Sequence, residues 1–290
     1  MGSQLPWLTA PHSSPHSAPE ALEVVRGRAL FPTAVYQRPA ADASILRKVL
    51  PDTVIPLAAA TDSLWYRTTD GFIPRESVQP MLLTAGGPMG QPAAPFWAEV
   101  TGPVAAVRAW CAPDAPLITR IGHGGVAQMI DYLPGDAPVV GWYGVAAPGL
   151  TASDGSVLGW TQSAPWAPTE VDVRAETISR LVIDRAARQI TAYDRDQVRL
   201  RTAFASGGAL PAGVYSVVRR APGGVAADAA ATYHGAAWPL IFDDARLSVA
   251  GAYWHNRFGS EAVGPAIQVA PAAARWLYRW IAEETPIHIA

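Results

Sequence analysis

The chain alternates between short apolar runs and turn-forming residues, a pattern typical of β-strands. Between residues 31 and 80, proline, aspartate, glycine and serine separate these runs. The apolar runs predict strands at Ala34–Tyr36, Ile45–Leu50, Val54–Leu57, Trp65–Thr68 and Gly71–Ile73. Short strands at this spacing indicate a small antiparallel barrel, which we place at residues 29–80. Residues 1–28 lack hydrophobic periodicity and are predicted to be a flexible leader.

A second, divergent copy of this pattern is predicted at residues 96–168. Its strands are expected at Val107–Arg108, Gly125–Ile130, Trp142–Val145 and Gly159–Thr161. The first-strand valine lies 30 residues before a Trp-Tyr pair in one copy (Val35 to Trp65) and 35 residues before it in the other (Val107 to Trp142). This weak tandem repeat, joined by a Pro/Gly-rich linker at 81–95, indicates two related barrels.

From Glu170 the strands become longer, and residues 169–290 are predicted to form a third domain. Strands are predicted at Ile178–Asp184, Ile190–Asp194 and Val198–Ser206, and the run Pro211–Val218 follows. Further on, a strand is expected to end in Tyr253-Trp254-His255-Asn256. A short strand then leads into a helix at Pro271–Ile281, where Trp276, Leu277 and Trp280 recur at helical spacing. His288 is expected in a fraying C-terminus.

Composition narrows the classes of function. Of 290 residues, 50% are hydrophobic and 16% are charged, so the chain can bury a sizeable core. The net charge of −2 offers no electrostatic attraction for nucleic acid or anionic lipid. No apolar run reaches the roughly 18 residues of a transmembrane segment. Cys111 is the only cysteine, which excludes an intramolecular disulfide and a cysteine-based zinc site, and an inert thiol is expected.

The C-terminal third carries an ordered motif. It reads Gly251-Ala252-Tyr253-Trp254-His255-Asn256, then Phe258-Gly259, then Pro271, and finally Ala274-Arg275-Trp276-Leu277-Tyr278 with Trp280. This resembles the L,D-transpeptidase catalytic domain, whose corresponding motifs are, in order, H-G-T-Y-W-H-N, F-G, S-H-G-C-V-N-L-S-P and A-R-W-L-Y. Pro211, Gly213 and Tyr215 match the opening of that domain, so the resemblance spans about residues 177–290.

The resemblance implies a mainly β fold, an L,D-transpeptidase-like β-sandwich with a C-terminal helix. The order Val-Tyr, Trp-Tyr-Arg-Thr, Asp-Gly-Phe-Ile in the first barrel resembles bacterial Src-homology-3-like domains. Two such small barrels are therefore expected before the sandwich. The family cross-links peptidoglycan, and this implies a protein of the cell envelope or the extracellular space, although no signal peptide is apparent in the chain.

The sequence departs from the motif at the positions of the catalytic residues. Ala250 and Gly264 replace the two family histidines, and Ala266 replaces the nucleophilic cysteine. Acyl transfer of this kind needs a thiolate, a base that activates it and donors for the oxyanion. Because these three residues are replaced, the resemblance predicts no catalytic residue, no cofactor and no metal site.

Several remaining side chains could form a binding groove or a relocated site. The groove is predicted to be lined by Trp238, Tyr253, Trp254, His255 and Asn256. His234 is expected in a solvated loop, Asp243 and Asp244 in a turn, and Ser248 and Ser260 lack an adjacent base.

Three hypotheses follow. The first is a catalytically inactive envelope protein that binds peptidoglycan stem peptides or glycan, or an envelope protein. The second is an active transpeptidase or amide hydrolase, with Cys111 as a relocated nucleophile or with a metal-assisted site around His234 and His255. The third is a structural envelope protein whose groove is closed.

Overall fold

The structure is a computed structural model that describes residues 25–58, 64–83, 95–135, 141–147, 156–174, 178–228, 231–244, 247–261 and 266–290. Within these residues the chain is mainly β, with several sheets and one α-helix close to the C-terminus, as the sequence predicts. The chain divides into two compact units, Met1–Leu83 and Thr84–Ala290.

The first unit contains seven short strands in two sheets. They are β1 (Arg26–Ala29), β2 (Thr33–Tyr36), β3 (Ile45–Val49), β4 (Val54–Pro56), β5 (Trp65–Arg67), β6 (Phe72–Pro74) and β7 (Val78–Met81), with a 3-10 turn at Arg75–Ser77. The sheet orders are β4-β1-β7 and β3-β2-β6-β5. Apolar side chains from both sheets form one core, in which Val35, Ile55, Ile73 and Val78 are at most 1% exposed.

Two boundaries of this unit differ from the prediction. Strand β1 begins at Arg26, inside the predicted leader, and β7 extends to Met81, the first residue of the predicted linker. The Arg-Gly-Arg-Ala sequence of β1 carries little apolar signal, but the strand pairs with β4 on one side and β7 on the other. The remaining leader residues 1–24 and linker residues 84–94 lie outside the described part of the chain.

The second unit begins with a seven-stranded antiparallel sheet. Its strands are β8 (Phe96–Val100), β9 (Val104–Arg108), β10 (Leu117–Gly122), β11 (Val126–Leu133), β12 (Trp142–Ala146), β13 (Val157–Gln162) and β14 (Trp166–Pro168). Their order is β10-β9-β13-β12-β11-β8-β14. Val107, Met129, Tyr143 and Trp166 lie in its core. Strands β8, β10 and β14 were not predicted.

Two further sheets follow in the same unit. One has the order β17-β16-β15-β24-β18, with β15 (Arg180–Asp184), β16 (Gln189–Asp194), β17 (Gln197–Ala203), β18 (Gly213–Tyr215) and β24 (Ile287–Ile289). The other has the order β19-β21-β22-β23, with β20 paired to β21. Its strands are β19 (Val217–Arg220), β20 (Gly223–Ala227), β21 (Thr232–Phe242), β22 (Ser248–Gly251) and β23 (Ile267–Val269). Both sheets contribute to one core, which includes Ile183, Phe204, Trp238 and Leu240.

Helix α1 (Pro271–Trp280) closes this core. Proline is favourable at its first position, because the N–H group that proline lacks would have no partner within the helix there. Ala274, Leu277 and Tyr278 lie on one face at helical spacing and are buried. The Trp276 and Trp280 rings stack at 5.6 Å on the partly buried side.

Three predicted elements of this region require correction. The strand expected to run through Asn256 ends at Gly251, and the strand expected at Val198–Ser206 ends at Ala203. His288 is not in a fraying terminus, because β24 pairs in parallel with β15 and antiparallel with β18. These pairings join residues far apart in sequence, which local periodicity does not reveal.

Contacts between the seven-stranded sheet and the C-terminal sheets explain why residues 84–290 form one compact unit. Arg275 of α1 donates to Glu99 of β8 at 3.0 Å, and Arg279 donates at 2.6 Å to Asp172, in the segment that follows β14. A Cβ added to Gly124 (φ +77°) would lie 2.6 Å from Cβ of Pro271, so only glycine permits this close approach. The boundary predicted at 168/169 lies inside this unit.

Candidate functional site

The candidate site lies where β22 and β23 run in parallel, beside the bend at residues 252–261. Ala250 of β22 and Gln268 of β23 are directly paired, and Ala266 immediately precedes β23. Ala250 is buried and Ala266 is partly exposed. The sequence resemblance predicts that these two alanines stand at two of the three catalytic positions of the family motif. Gly264, the third, lies outside the described residues.

Gly251 explains how β22, β21 and the helix come together here. A Cβ at this position would lie 2.9 Å from Cα of Pro271 and 3.0 Å from Cβ of Ala237. Only a glycine therefore lets the start of α1 pack directly on the end of β22. The motif glycine has a packing role that is independent of any catalytic chemistry.

His255 uses both ring nitrogens in contacts within the protein. The backbone N–H of Arg257 donates to Nδ1 at 3.1 Å, and Nε2 is hydrogen-bonded to Oε1 of Gln268. Because Nδ1 accepts and an amide oxygen can only accept, the proton of the neutral imidazole lies on Nε2. The histidine therefore presents no free lone pair to a reacting group.

The electrostatic environment also keeps His255 neutral. Burial lowers its pKa, and the charge of Arg257 lowers it further, while the hydrogen bond to Gln268 acts in the opposite direction. The net effect is a pKa below the ordinary value for histidine. The geometry assigns His255 to holding the bend against β23, rather than to proton transfer.

Aromatic rings surround this histidine. The rings of Tyr233 and Trp254 stack at 4.4 Å with an interplanar angle of 8°, and the Tyr253 ring meets Trp254 edge-on at 5.2 Å. Phe258 packs against His255 at 5.1 Å. Trp254 and His255 are both partly exposed, so this aromatic wall has surface available for a ligand.

The other predicted groove residues are buried. Trp238 is 0% exposed and lies in the core at positive φ (54°), so it cannot line an open groove. Tyr253 is 4% exposed, and its hydroxyl lies 2.6 Å from the carbonyl oxygen of His234. Asn256 is 5% exposed. Of the five predicted groove residues, the structure leaves Trp254 and His255 accessible.

The candidate residues for a relocated site lie in different elements, and each has its own surroundings. Cys111 lies between β9 and β10, and burial together with the Asp131 carboxylate raises the pKa of its thiol, which disfavours the thiolate. His234 lies in β21 and not in a solvated loop, since its backbone pairs with Val225. Ser260 donates its hydroxyl proton to the carbonyl oxygen of Arg257 at 2.7 Å.

Two further findings concern the described residues as a whole. They contain no group of three or more histidine, cysteine, aspartate or glutamate side chains arranged to hold a metal ion. They also contain no helix with the length and apolar character needed to cross a membrane.

Sequence reasoning missed Gln268 and Tyr233. Gln268 is 4% exposed although it is polar, and it stands between Ile267 and Val269. A polar residue inside an apolar strand is the signal that could have identified it, because buried amides require partners. No comparable signal marks Tyr233, whose contact with Trp254 depends on tertiary structure.

Comparisons with known proteins give one kind of match. No protein-family profile and no curated protein sequence matches the chain. The similar solved structures are L,D-transpeptidases. The catalytic domain from E. faecium is 16% identical, with a TM-score of 0.34, over 40% of this chain and 100% of that one. An L,D-transpeptidase from Mycobacterium tuberculosis H37Rv is 14% identical, with a TM-score of 0.35, over 56% and 97%.

An L,D-transpeptidase from Mycobacterium smegmatis is 16% identical, with a TM-score of 0.34, over 56% of this chain and 98% of that one. Identities and TM-scores at this level carry no conclusion about activity or ligand. Any functional interpretation therefore has to come from the residues of this chain.

Proposed function

We propose that this protein is a non-catalytic member of the L,D-transpeptidase fold that binds peptidoglycan stem peptides in the cell envelope. The observation that carries the proposal is the retained scaffold motif from Gly251 to Trp280 around Ala250, Gly264 and Ala266. Every change at these three positions removes a group that the family reaction needs. The sequence keeps the scaffold residues of the motif and lacks its catalytic side chains.

The surroundings of Ala266 support the absence of acyl transfer. Residues 262–265 read Ala-Val-Gly-Pro and contribute no nucleophilic side chain. His255 has its Nδ1 lone pair engaged by the backbone and its Nε2 proton engaged by Gln268. A general base must be able to accept a proton from the nucleophile, and this histidine cannot do so without breaking a contact.

Binding of a stem peptide is compatible with the groups that remain accessible. Trp254, backed by Tyr233, provides an apolar face for a peptide side chain. Arg257 is exposed beside His255 and carries a positive charge. Stem peptides carry several carboxylates, so a guanidinium next to an aromatic surface is a complementary arrangement.

Two measurements on the purified chain test this proposal. Intact-mass spectrometry after incubation with a carbapenem should show no covalent adduct. Isothermal titration with disaccharide-tetrapeptide should show binding that Trp254→Ala weakens by about ten-fold or more, whereas Trp110→Ala should leave it unchanged. Trp110 is a suitable control because it is 56% exposed and lies in the β9–β10 connection.

Each competing hypothesis has its own outcome. A carbapenem adduct mapped to Cys111 would contradict the non-catalytic proposal and favour a relocated nucleophile. An absence of both adduct and muropeptide binding would favour a structural protein with a closed groove, as the buried Trp238, Tyr253 and Asn256 would suggest.

A further inference from the structure

A small pocket lies on the seven-stranded sheet. It has a volume of about 180 Å³ and lies beside the point where β9 and β13 separate, since only Arg108 and Val107 of β9 pair with β13. None of Ala250, His255 and Gln268 contributes to its wall, so the pocket is distinct from the candidate site described above. Residues of its wall include Ala106, Arg108, Pro113, Trp142, Gln162 and Pro165.

The alternation of β9 places Arg108 on the pocket side of the sheet. Ala105 and Val107 are buried in the core, whereas Arg108 is partly exposed. Successive side chains of a strand point to opposite faces, so the side chain of Arg108 leaves the sheet on the face opposite that core. Its Nη1 atom donates to the carbonyl oxygen of Ala115 at 2.7 Å. This bond holds the guanidinium against the segment that supplies Pro113 to the pocket wall.

The guanidinium of Arg108 keeps hydrogen-bond donors for a ligand. An arginine side chain has five N–H groups, and the bond to Ala115 uses one of them. Within the described chain, Arg108 forms no ion pair, and its Nε and Nη2 atoms have no partner and are not buried, so a ligand can reach them. A cation that is partly withdrawn from water without an opposite charge gains from binding an anion.

The rest of the wall selects the kind of anion. Of the described residues that line the pocket, none is acidic, and Arg108 supplies the one positive charge. A single positive charge matches a carboxylate better than the greater negative charge of phosphate. Ala106, Pro113 and Pro165 are apolar, and Trp142 adds an indole ring, so the pocket also favours an organic body. A cavity of about 150 Å³ can hold benzene, and the volume here therefore suits one ring with a carboxylate.

We propose that this pocket binds a small organic carboxylate built on a single ring, whose carboxylate group is held by Arg108. The Nε and Nη2 atoms of a guanidinium present parallel N–H groups, and this spacing matches the two oxygens of a carboxylate. The ring packs against Pro113, Trp142 and Pro165 of the wall. This site does not depend on the stem-peptide binding proposed above, because the two share no residue.

Benzoate and benzamide form a matched pair of probes, because they have nearly the same shape and differ in charge at pH 7. In the unmodified chain, calorimetry should show benzoate binding about ten-fold more tightly than benzamide. Inorganic phosphate at the same concentration as benzoate should not displace it. Equal affinity for the two probes, no binding of benzoate at millimolar concentration, or displacement by phosphate would overturn the proposal.

A charge-removing variant tests the role of the guanidinium. Arg108→Met keeps most of the aliphatic stem, and it should weaken benzoate binding by about ten-fold and leave benzamide binding unchanged. Arg219→Met, which removes an exposed charge from β19 of the same compact unit, should change neither. Benzoate affinity that survives Arg108→Met would refute the role of the guanidinium. A loss of both probes would also overturn the proposal, because it would assign Arg108 to the shape of the pocket alone.

Two further measurements test the location. The indole N–H signal of Trp142, assigned by its absence in Trp142→Phe, should shift when benzoate is added, and the signal of Trp276 in α1 should not. Ala106→Phe places a ring in the pocket and should weaken both probes by about ten-fold or more, with near-ultraviolet circular dichroism confirming that the variant is folded. An unchanged Trp142 signal at saturating benzoate, or full affinity in Ala106→Phe, would refute the location.

Discussion

The ion pair between Arg275 and Glu99 offers a quantitative test of how α1 is held against the seven-stranded sheet. Arg275 belongs to the sequence motif, yet its guanidinium contacts Glu99 of β8 at 3.0 Å and lies 5.6 Å from the ring centre of Trp238. Replacement by methionine keeps most of the aliphatic stem and removes the charge. We expect Arg275→Met to lower the free energy of unfolding of the second unit.

The expected magnitude follows from the exposure of the two side chains. Arg275 is 37% exposed and Glu99 is 19% exposed, which places the pair between a surface and a buried ion pair. Surface pairs contribute about 0–1 kcal/mol, and breaking a buried pair costs about 3–5 kcal/mol. We therefore expect a loss of about 2 kcal/mol at pH 7, with about 0.5–1 kcal/mol more from the cation–π contact with Trp238.

The pH dependence separates these two contributions. Burial raises the pKa of Glu99, and the charge of Arg275 opposes that rise, so the pKa of Glu99 in Arg275→Met should rise further. A carboxyl group whose folded pKa exceeds its unfolded pKa destabilises the fold as pH increases through that interval. The loss of stability should be small near pH 4 and increase toward pH 7. The cation–π contribution should not change with pH.

Urea denaturation of the full chain measures this effect, with the transitions of the two compact units fitted separately. The double variant Glu99→Gln/Arg275→Met should recover most of the loss at pH 7, because no buried charge is left without a partner. Glu99→Gln alone provides the matched control. A deficit that is independent of pH, or that the double variant does not reduce, would refute the ion-pair explanation.

Three further substitutions test other parts of the structure. Gly235→Ala should lower the free energy of unfolding by about 2 kcal/mol or more, because it combines positive φ with a clash against Ile121. Gly259→Ala, at φ +97° with its nearest neighbour at 3.9 Å, should lower it by less in the same urea titration. Trp238→Ala should lower the free energy of unfolding by about 3–5 kcal/mol, since the side chain is wholly buried, and a small effect would contradict its place in the core. The pKa of His255 is lower in the folded than in the unfolded state, so the stability that the neutral imidazole contributes is complete above about pH 6.5 and is lost as pH falls. His255→Gln should therefore flatten the decline in the free energy of unfolding between about pH 7 and pH 5.

The sequence by itself determined most of the local structure. Short apolar runs between turn residues predicted strands such as β2 and β12. Alternation predicted β15, because a strand with one buried face repeats every second residue. The helical spacing of Trp276, Leu277 and Trp280 indicated α1, and its predicted end at Ile281 lies one residue beyond the observed end. The sequence also determined that Ala266 offers no nucleophile, since this conclusion depends only on residue identity.

Tertiary structure alone decided which of these residues are accessible and what they contact. Trp238 and Trp254 are chemically alike in the sequence, yet one is wholly buried in the core and the other is partly exposed beside His255. The pairing of His255 with Gln268 and the partial burial of His234 also depend on segments that only the tertiary fold brings together. Burial is a property of the assembled sheets, because each strand is covered by residues distant in sequence, and no local pattern records which neighbours these will be.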